Sequence, residues 1–210
     1  MAGIAPRSAS HSTEVSNLSS FLFLILHPTS LELWPAIRMT GGTAGLKEDD
    51  KVETLQESVD VEVPVSTAYN QWTQFESFPR FMKGVESVEQ IDETSLHFCT
   101  SVAGVKREYD AQILEQTPDR CIAWVSKDKP RNAGRVTFEN LGEDLCRVNV
   151  ELEWEPESLL ERAGAAAHVD EQQVSSDLVR FKEFIETRGI ETGAWRAVVD
   201  RGEVDTTGAN

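Results

Sequence analysis

Between Leu55 and Trp154 the chain alternates apolar and polar residues in short runs, and after that it changes period once, to three and four, before Arg188. Val59, Val61 and Val63 alternate with Ser58, Asp60 and Glu62, the period of a strand with one wet face. Pro64 ends that strand, and Ser66 is placed to cap a short helix through Trp72. A second short segment, residues 75–82, is broken by Pro79. Its spacing sets Phe75, Phe78 and Phe81, or Phe78 and Met82, on one side of a turn. These side chains read either as a cap on one end of the core or as the rim of a pocket.

Strands then follow in quick succession. Residues 84–91 and 94–102 form a hairpin across Asp92-Glu93, and residues 105–115 pair back after Ala103-Gly104. In that third run Val105, Arg107, Tyr109, Ala111 and Ile113 share a face. Ile122 and Trp124 share a face in residues 121–126; residues 127–133 are polar and read as a loop. Val136 and Phe138 share a face in residues 134–141, and Gly142-Glu143-Asp144 turns the chain. The last strand is the clearest: Val148, Val150, Leu152 and Trp154 face one way, and Arg147, Asn149, Glu151 and Glu153 the other.

Pro156 stops that strand. A helical region begins near Glu157, loosens at residues 163–167, and continues as a stronger helix over 170–188 with Val174, Leu178, Phe181 and Ile185 on one stripe. At about 1.5 Å per residue this helix is nearly 30 Å long, enough to cross a small sheet. Gly189 suits its end. Strands that bury one face, closed by one helix, predict an α+β architecture: a curved antiparallel sheet of about seven strands around a long C-terminal helix, with two short helices after the first strand.

The expected domain is residues 55–188. Residues 1–54 read as a poorly ordered extension and residues 189–210 as a flexible tail, in which Trp195 alone hints at docking. The apolar run Phe21 to Leu26 is far short of the about 20 residues that span a bilayer. Arg7 is distant from it, and His27-Pro28 offers no small-residue cleavage site, so a secretory signal is not expected. Composition changes at Met39, which is expected to be the true start.

Charge narrows the function classes. The 210 residues carry a formal net charge of −16. Such a surface repels phosphate backbones and anionic headgroups, so neither nucleic-acid binding nor stable membrane insertion is expected. Cys99, Cys121 and Cys146 are widely spaced and form no CxxC pair, which points to reduced thiols in a cytoplasmic protein. His11, His27, His97 and His168 show no metal-ligand spacing, so no metal and no cofactor is expected. Nothing in the sequence sets an oligomeric state.

Several strings carry a resemblance. They are residues 61–72, VEVPVSTAYNQW; residues 75–85, FESFPRFMKGV; Ile122-Ala123-Trp124; residues 132–138, NAGRVTF; and residues 177–186, DLVRFKEFIE. In order and in detail they resemble the START-like, helix-grip (SRPBCC) superfamily, and within it the bacterial polyketide cyclase/dehydrase and coenzyme Q-binding group. The resemblance covers Leu55 to Arg188. It implies one strand, two short helices, six strands and a long helix enclosing an apolar cavity. Members bind lipids, quinones, sterols or polyketides, and only some catalyse.

Strand parity puts Phe98, Tyr109, Trp124, Phe138 and Trp154 on the inner face, with Phe181 opposite and Phe78, Phe81 and Met82 at one end. That set describes a ligand pocket or a filled core equally well. Arg107 shares the face of Tyr109. A buried unpaired charge is costly, so Arg107 either reaches water at the strand end or, with Tyr109, polarises a ligand carbonyl or an enolate. His97 alternates with Phe98 and should face solvent, which makes it a weak candidate base; His168 falls in the loosened helical stretch, and Cys146 reads as a small core thiol.

Three functions stay open. The favoured one is binding of a small hydrophobic ligand such as a lipid, quinone or polyketide. The second is an aromatase/cyclase that directs aldol cyclisation and dehydration of a poly-β-keto chain, with Arg107 and Tyr109 as electrophilic groups; no inward His accompanies them. The third is an interaction or stress-related module with a vestigial cavity. A connected cavity above roughly 300 Å³ with Arg107 and Tyr109 on its wall favours the first two. Packing shut by Trp124, Phe138 and Trp154 favours the third.

Overall fold

In the computed structural model, residues 52–102, 105–155 and 167–205 are described. β1 (Glu53–Val61) is followed by α1 (Val65–Trp72) and a 3₁₀ segment (Phe75–Arg80). Six strands come next: β2 (Val85–Gln90), β3 (Ser95–Val102), β4 (Val105–Thr117), β5 (Cys121–Ser126), β6 (Asn132–Gly142) and β7 (Leu145–Trp154). The long helix α2 (Ala167–Arg188) and a short hairpin, β8 (Val199–Asp200) and β9 (Glu203–Val204), complete the order.

The sheet runs β1-β7-β6-β5-β4-β3-β2, with every neighbour antiparallel. Consecutive hairpins account for β2 through β7. β1 then pairs with β7 without interruption, from Glu53↔Trp154 to Val61↔Cys146. This is the helix-grip α+β fold. β1 begins at Glu53, two residues before the expected domain edge, because alternation already holds there and β7 offers partners that far. β6 likewise begins inside the expected loop, since Asn132 and Ala133 pair with Trp154 and Glu153.

Bulges bend the sheet around its helix. The one between Ile113 and Glu115 also reverses parity on β4. Ala111 and Ile113 point inward and are fully buried; beyond the bulge Gln116 takes the inner face, also fully buried. α2 lays Leu178, Phe181 and Ile185 on the sheet and leaves Val179 exposed on its far side. Polar ties fix its angle. Lys182 Nζ donates to the Asp60 carbonyl at 2.7 Å, the Glu62 N–H donates to Glu186 Oε1 at 2.7 Å, and the Lys83 N–H donates to Asp177 Oδ1 at 3.0 Å. Gly189, at φ +64°, ends the helix in the left-handed conformation that glycine adopts without steric cost.

The stretch after Gly189 departs from the expected flexible tail. Residues 190–205 return across α1 and add β8 to the edge of β4. Buried amides and hydroxyls explain the docking, because such groups need partners. The Thr192 N–H donates to Gln71 Oε1 at 2.9 Å, the Trp195 N–H to Thr73 Oγ1 at 3.0 Å, and Gln116 Nε2 donates to the Ala197 carbonyl at 2.9 Å. Arg196 bridges Asp119 and Asn70 and lies 5.5 Å over the Tyr69 ring. The expectations for residues 1–51, including Met39, lie outside the described residues, as does the helical stretch expected near Glu157.

Candidate functional site

A cavity of about 240 Å³ lies between the inner face of the sheet and the first turns of α2. Its back wall is a stack of three rings. Phe98 and Tyr109 are directly opposite in register on β3 and β4, so their rings meet face to face at 5.2 Å and 11°. Trp124 on β5 continues the stack, 6.3 Å from Phe98 at 18°. Gly134 makes this possible. It is paired with Trp124 across β5–β6, and a Cβ there would lie 2.3 Å from the indole Cζ2. Without a side chain at 134, the indole lies flat over the backbone of β6.

Seven of the expected pocket residues reach this cavity: Phe78, Met82, Phe98, Arg107, Tyr109, Trp124 and Trp154. Three do not. Phe138 turns from the wall to meet Tyr69 edge-on at 5.5 Å. Phe81 and Phe181 pack on each other at 5.3 Å in the filled core. Their inward parity was sound, but parity does not say how far along the strand or helix a cavity extends.

The wall also holds Trp72, which sequence reasoning placed only in the short helix. Its ring is anchored between Phe78 and Phe181 at 5.5 and 5.3 Å. Its indole Nε1 is buried and has no hydrogen-bond partner among the described residues. An orphan buried donor costs about 1–3 kcal/mol, so a ligand acceptor that reached it would recover that loss.

The titratable groups of the wall are donors or are already engaged. Removal from water holds the Tyr109 phenol well above its ordinary value, and the nearby Arg107 charge offsets this only in part. Tyr109 is therefore a neutral hydroxyl, able to donate and unable to act as a phenolate base. Asp177 accepts from the Lys83 N–H, from Gln173 Nε2 at 2.8 Å and from Arg180. Glu153 faces Arg131 at 3.6 Å. His97 is on the opposite face of β3, as its parity predicts, with Nδ1 2.7 Å from Asp110 Oδ1. The His168 side chain lies outside the described residues. Burial pushes the Cys146 thiol up to about 11, with the Asp60 charge adding to it, so this core sulfur is no nucleophile.

Residues 61–183 match the family model described as polyketide cyclase/dehydrase and lipid transport. The chain belongs to that family. An uncharacterized 17.2 kDa protein of Streptomyces lincolnensis is 49% identical over 146 residues, which are 69% of this chain and 97% of the relative. Among solved structures, a Deinococcus radiodurans protein superposes with a TM-score of 0.53 at 23% identity, over 65% of this chain and 99% of that one. The Zhui aromatase/cyclase of a Streptomyces species superposes with a TM-score of 0.57 at 14% identity, over 69% of this chain and all (100%) of the other. At such identities these likenesses speak for the fold. Among the described residues no helix is long and apolar enough to cross a membrane.

Proposed function

We propose that this family member binds a small, flat, hydrophobic molecule carrying a carbonyl-type oxygen, in the class of quinones and cyclised polyketides. The observation that carries this reading is the parallel stack of Tyr109, Phe98 and Trp124 lining an open cavity. A planar ring can extend such a stack by offset stacking of its own. Arg107, the Tyr109 hydroxyl and the Trp72 indole N–H supply donors for the oxygen. A volume of about 240 Å³ sits below the roughly 300 Å³ at which ligand pockets usually begin. It suits a compact ring system better than a whole lipid, whose chain has no room. The three free cysteines fit a reducing cytoplasm as its place of work.

Binding is preferred to catalysis because no free general base stands on the described wall. A cyclase reading draws on the same donors: Arg107 and Tyr109 could polarise a poly-β-keto carbonyl if the substrate enolises unaided. The volume falls short of the roughly 300 Å³ that would set the vestigial reading aside, but Trp124 and Trp154 line the void and do not pack it shut.

Native mass spectrometry of protein purified from its own host tests the proposal, together with quenching of tryptophan fluorescence by a naphthoquinone. A co-purifying planar molecule, or saturable quenching whose affinity falls at least several-fold in Trp124→Leu, is expected. Clean apo protein that shows neither quenching nor thermal stabilisation by planar quinones overturns it. Ring closure of a poly-β-keto mimic above the uncatalysed rate moves the assignment to the cyclase.

A further inference from the structure

The outer face of the same hairpin carries a second arrangement that the cavity does not use. β3 alternates, so His97 and Cys99 face outward while Phe98 faces in. On β4, Glu108 and Asp110 face outward on either side of Tyr109. The register sets His97 opposite Asp110 and Cys99 opposite Glu108. Four polar side chains with metal-binding atoms thus form one square on the sheet surface.

We propose that His97, Cys99 and Glu108 bind a divalent transition metal of the zinc type, with Asp110 as a positioning residue. One donor atom from each of the three ligands lies within 4.8 Å of the others. His97 Nε2 and Cys99 Sγ are 3.7 Å apart. A tetrahedral zinc, with bonds of about 2.3 Å to sulfur and 2.0–2.1 Å to nitrogen, holds those two atoms about 3.6 Å apart. The strands have therefore set the pair at its coordinated spacing already.

The imidazole is also turned the right way. Nδ1 is 2.7 Å from Asp110 Oδ1, so its N–H donates to that carboxylate and the Nε2 lone pair faces Cys99. Metal-bound imidazoles are held in this manner by a carboxylate on the other ring nitrogen. One sulfur, one nitrogen and one carboxylate oxygen suit zinc or cobalt, whereas magnesium and calcium take oxygen ligands. Lys106, on the same face of β4, is tied to Glu86 at 2.9 Å. Three protein ligands leave the fourth position to water. As the sulfur–metal bond forms, the Cys99 thiol releases its proton to solvent.

The test is a titration of the chelator-stripped full chain with cobalt(II), read by absorption. A site of this kind gives intense tetrahedral d–d bands and a thiolate-to-cobalt charge-transfer band that saturate at about one metal per chain, and zinc displaces the cobalt. C99S abolishes the charge-transfer band, and H97A or E108A weakens binding at least tenfold. D110N keeps the band and loses about 10–100-fold in affinity, the usual cost of removing such an outer partner. Absence of the thiolate band in the unaltered chain overturns the site. So does binding that survives C99S, H97A and E108A unchanged, which assigns the metal to other residues. D110N with unchanged affinity overturns the positioning role. Far-UV circular dichroism and naphthoquinone quenching verify that each variant is folded. Because the quenching reports on the opposite face, failure of the metal site and failure of the cavity proposal are separately visible.

Discussion

The two ends of the internal face are both rich in aromatic side chains, yet one is filled and the other is open. At the filled end Phe81 meets Phe181 at 63°, Phe138 meets Tyr69 at 77°, and Trp72 meets Phe78 at 74°. At the open end Phe98 meets Tyr109 at 11° and Trp124 at 18°. The difference comes from where the rings originate. At the filled end, rings of the helices, of the 3₁₀ segment and the residue after it, and Phe138 of β6 approach from several directions and interlock edge to face, which fills space. At the open end the register places Phe98 directly opposite Tyr109, so their rings stack in parallel, and Trp124, which pairs with Ile113, extends that stack beside the void. Trp72 stands on the border: its ring belongs to the filled cluster, while its edge is on the cavity wall.

The filled end should be the costlier to damage. Phe181→Ala removes a fully buried ring that contacts Trp72 and Phe81. A loss of about 3–5 kcal/mol in unfolding free energy is expected, measured by urea denaturation. A cost below about 1 kcal/mol would show that this end is not packed as described. At the open end, Gly134→Ala drives a methyl against Trp124 and pushes the indole toward the cavity. Strain of about 1–3 kcal/mol is expected, with naphthoquinone quenching reduced at least tenfold. Unaltered quenching in G134A means that Trp124 is not the floor of the ligand site.

How much of this contrast was readable beforehand follows from the kind of information each residue carries. Parity was enough for Phe98, Tyr109 and Trp124, because a two-residue period assigns a face without knowledge of partners. It could not separate Phe138 from them. Phe138 pairs with Val148, four residues along β6 from the Gly134 that sits on Leu152, and that distance is a property of register. Trp195 hinted that the stretch after Gly189 docks, and it does, but the partners were hidden for a similar reason: Gln71, Thr73 and Gln116 are far apart in sequence, and their shared need for partners emerges only after folding. The bulge after Ile113 moved Gln116 onto the inner face, and no residue pattern announced it. His97 and Cys99 showed no ligand spacing along the chain because Glu108 reaches them across a hairpin.

Trp72→Phe tests the border itself. The ring contacts with Phe78 and Phe181 are largely kept, and the buried unpartnered N–H is removed. Stability should hold or rise slightly, since the orphan donor no longer has to be desolvated. Affinity for a carbonyl-bearing planar ligand should fall several-fold, whereas a hydrocarbon of the same shape should bind as before. If both ligands weaken equally, Trp72 contributes shape and not a hydrogen bond. If neither weakens, the donors of the site are confined to β4.

The smallest effect is expected outside the cavity, on the outer face of the β1–β7 pairing. Arg147 donates to both oxygens of Asp60, at 2.7 and 3.0 Å. This hydrogen bond lowers the Asp60 carboxyl below its ordinary value, with the charges of Arg147 and Lys182 acting in the same direction and desolvation against them. A carboxyl depressed on folding contributes stability above its unfolded value, about 3.9, and that contribution is lost as the pH falls through the lower folded value. Asp60→Asn should therefore lower Tm slightly at pH 7, and the gap from the unaltered chain should narrow as the pH is taken below about 3.9. Both carboxyl oxygens are on the exposed surface, so solvent screening keeps the gap small. Quenching by the naphthoquinone should not change at either pH, because the bridge lies outside the sheet and does not border the void. A gap that does not narrow as the pH falls would trace the loss to packing at the β1–β7 seam. A change in quenching would mean that the edge of the sheet and the open end are mechanically coupled.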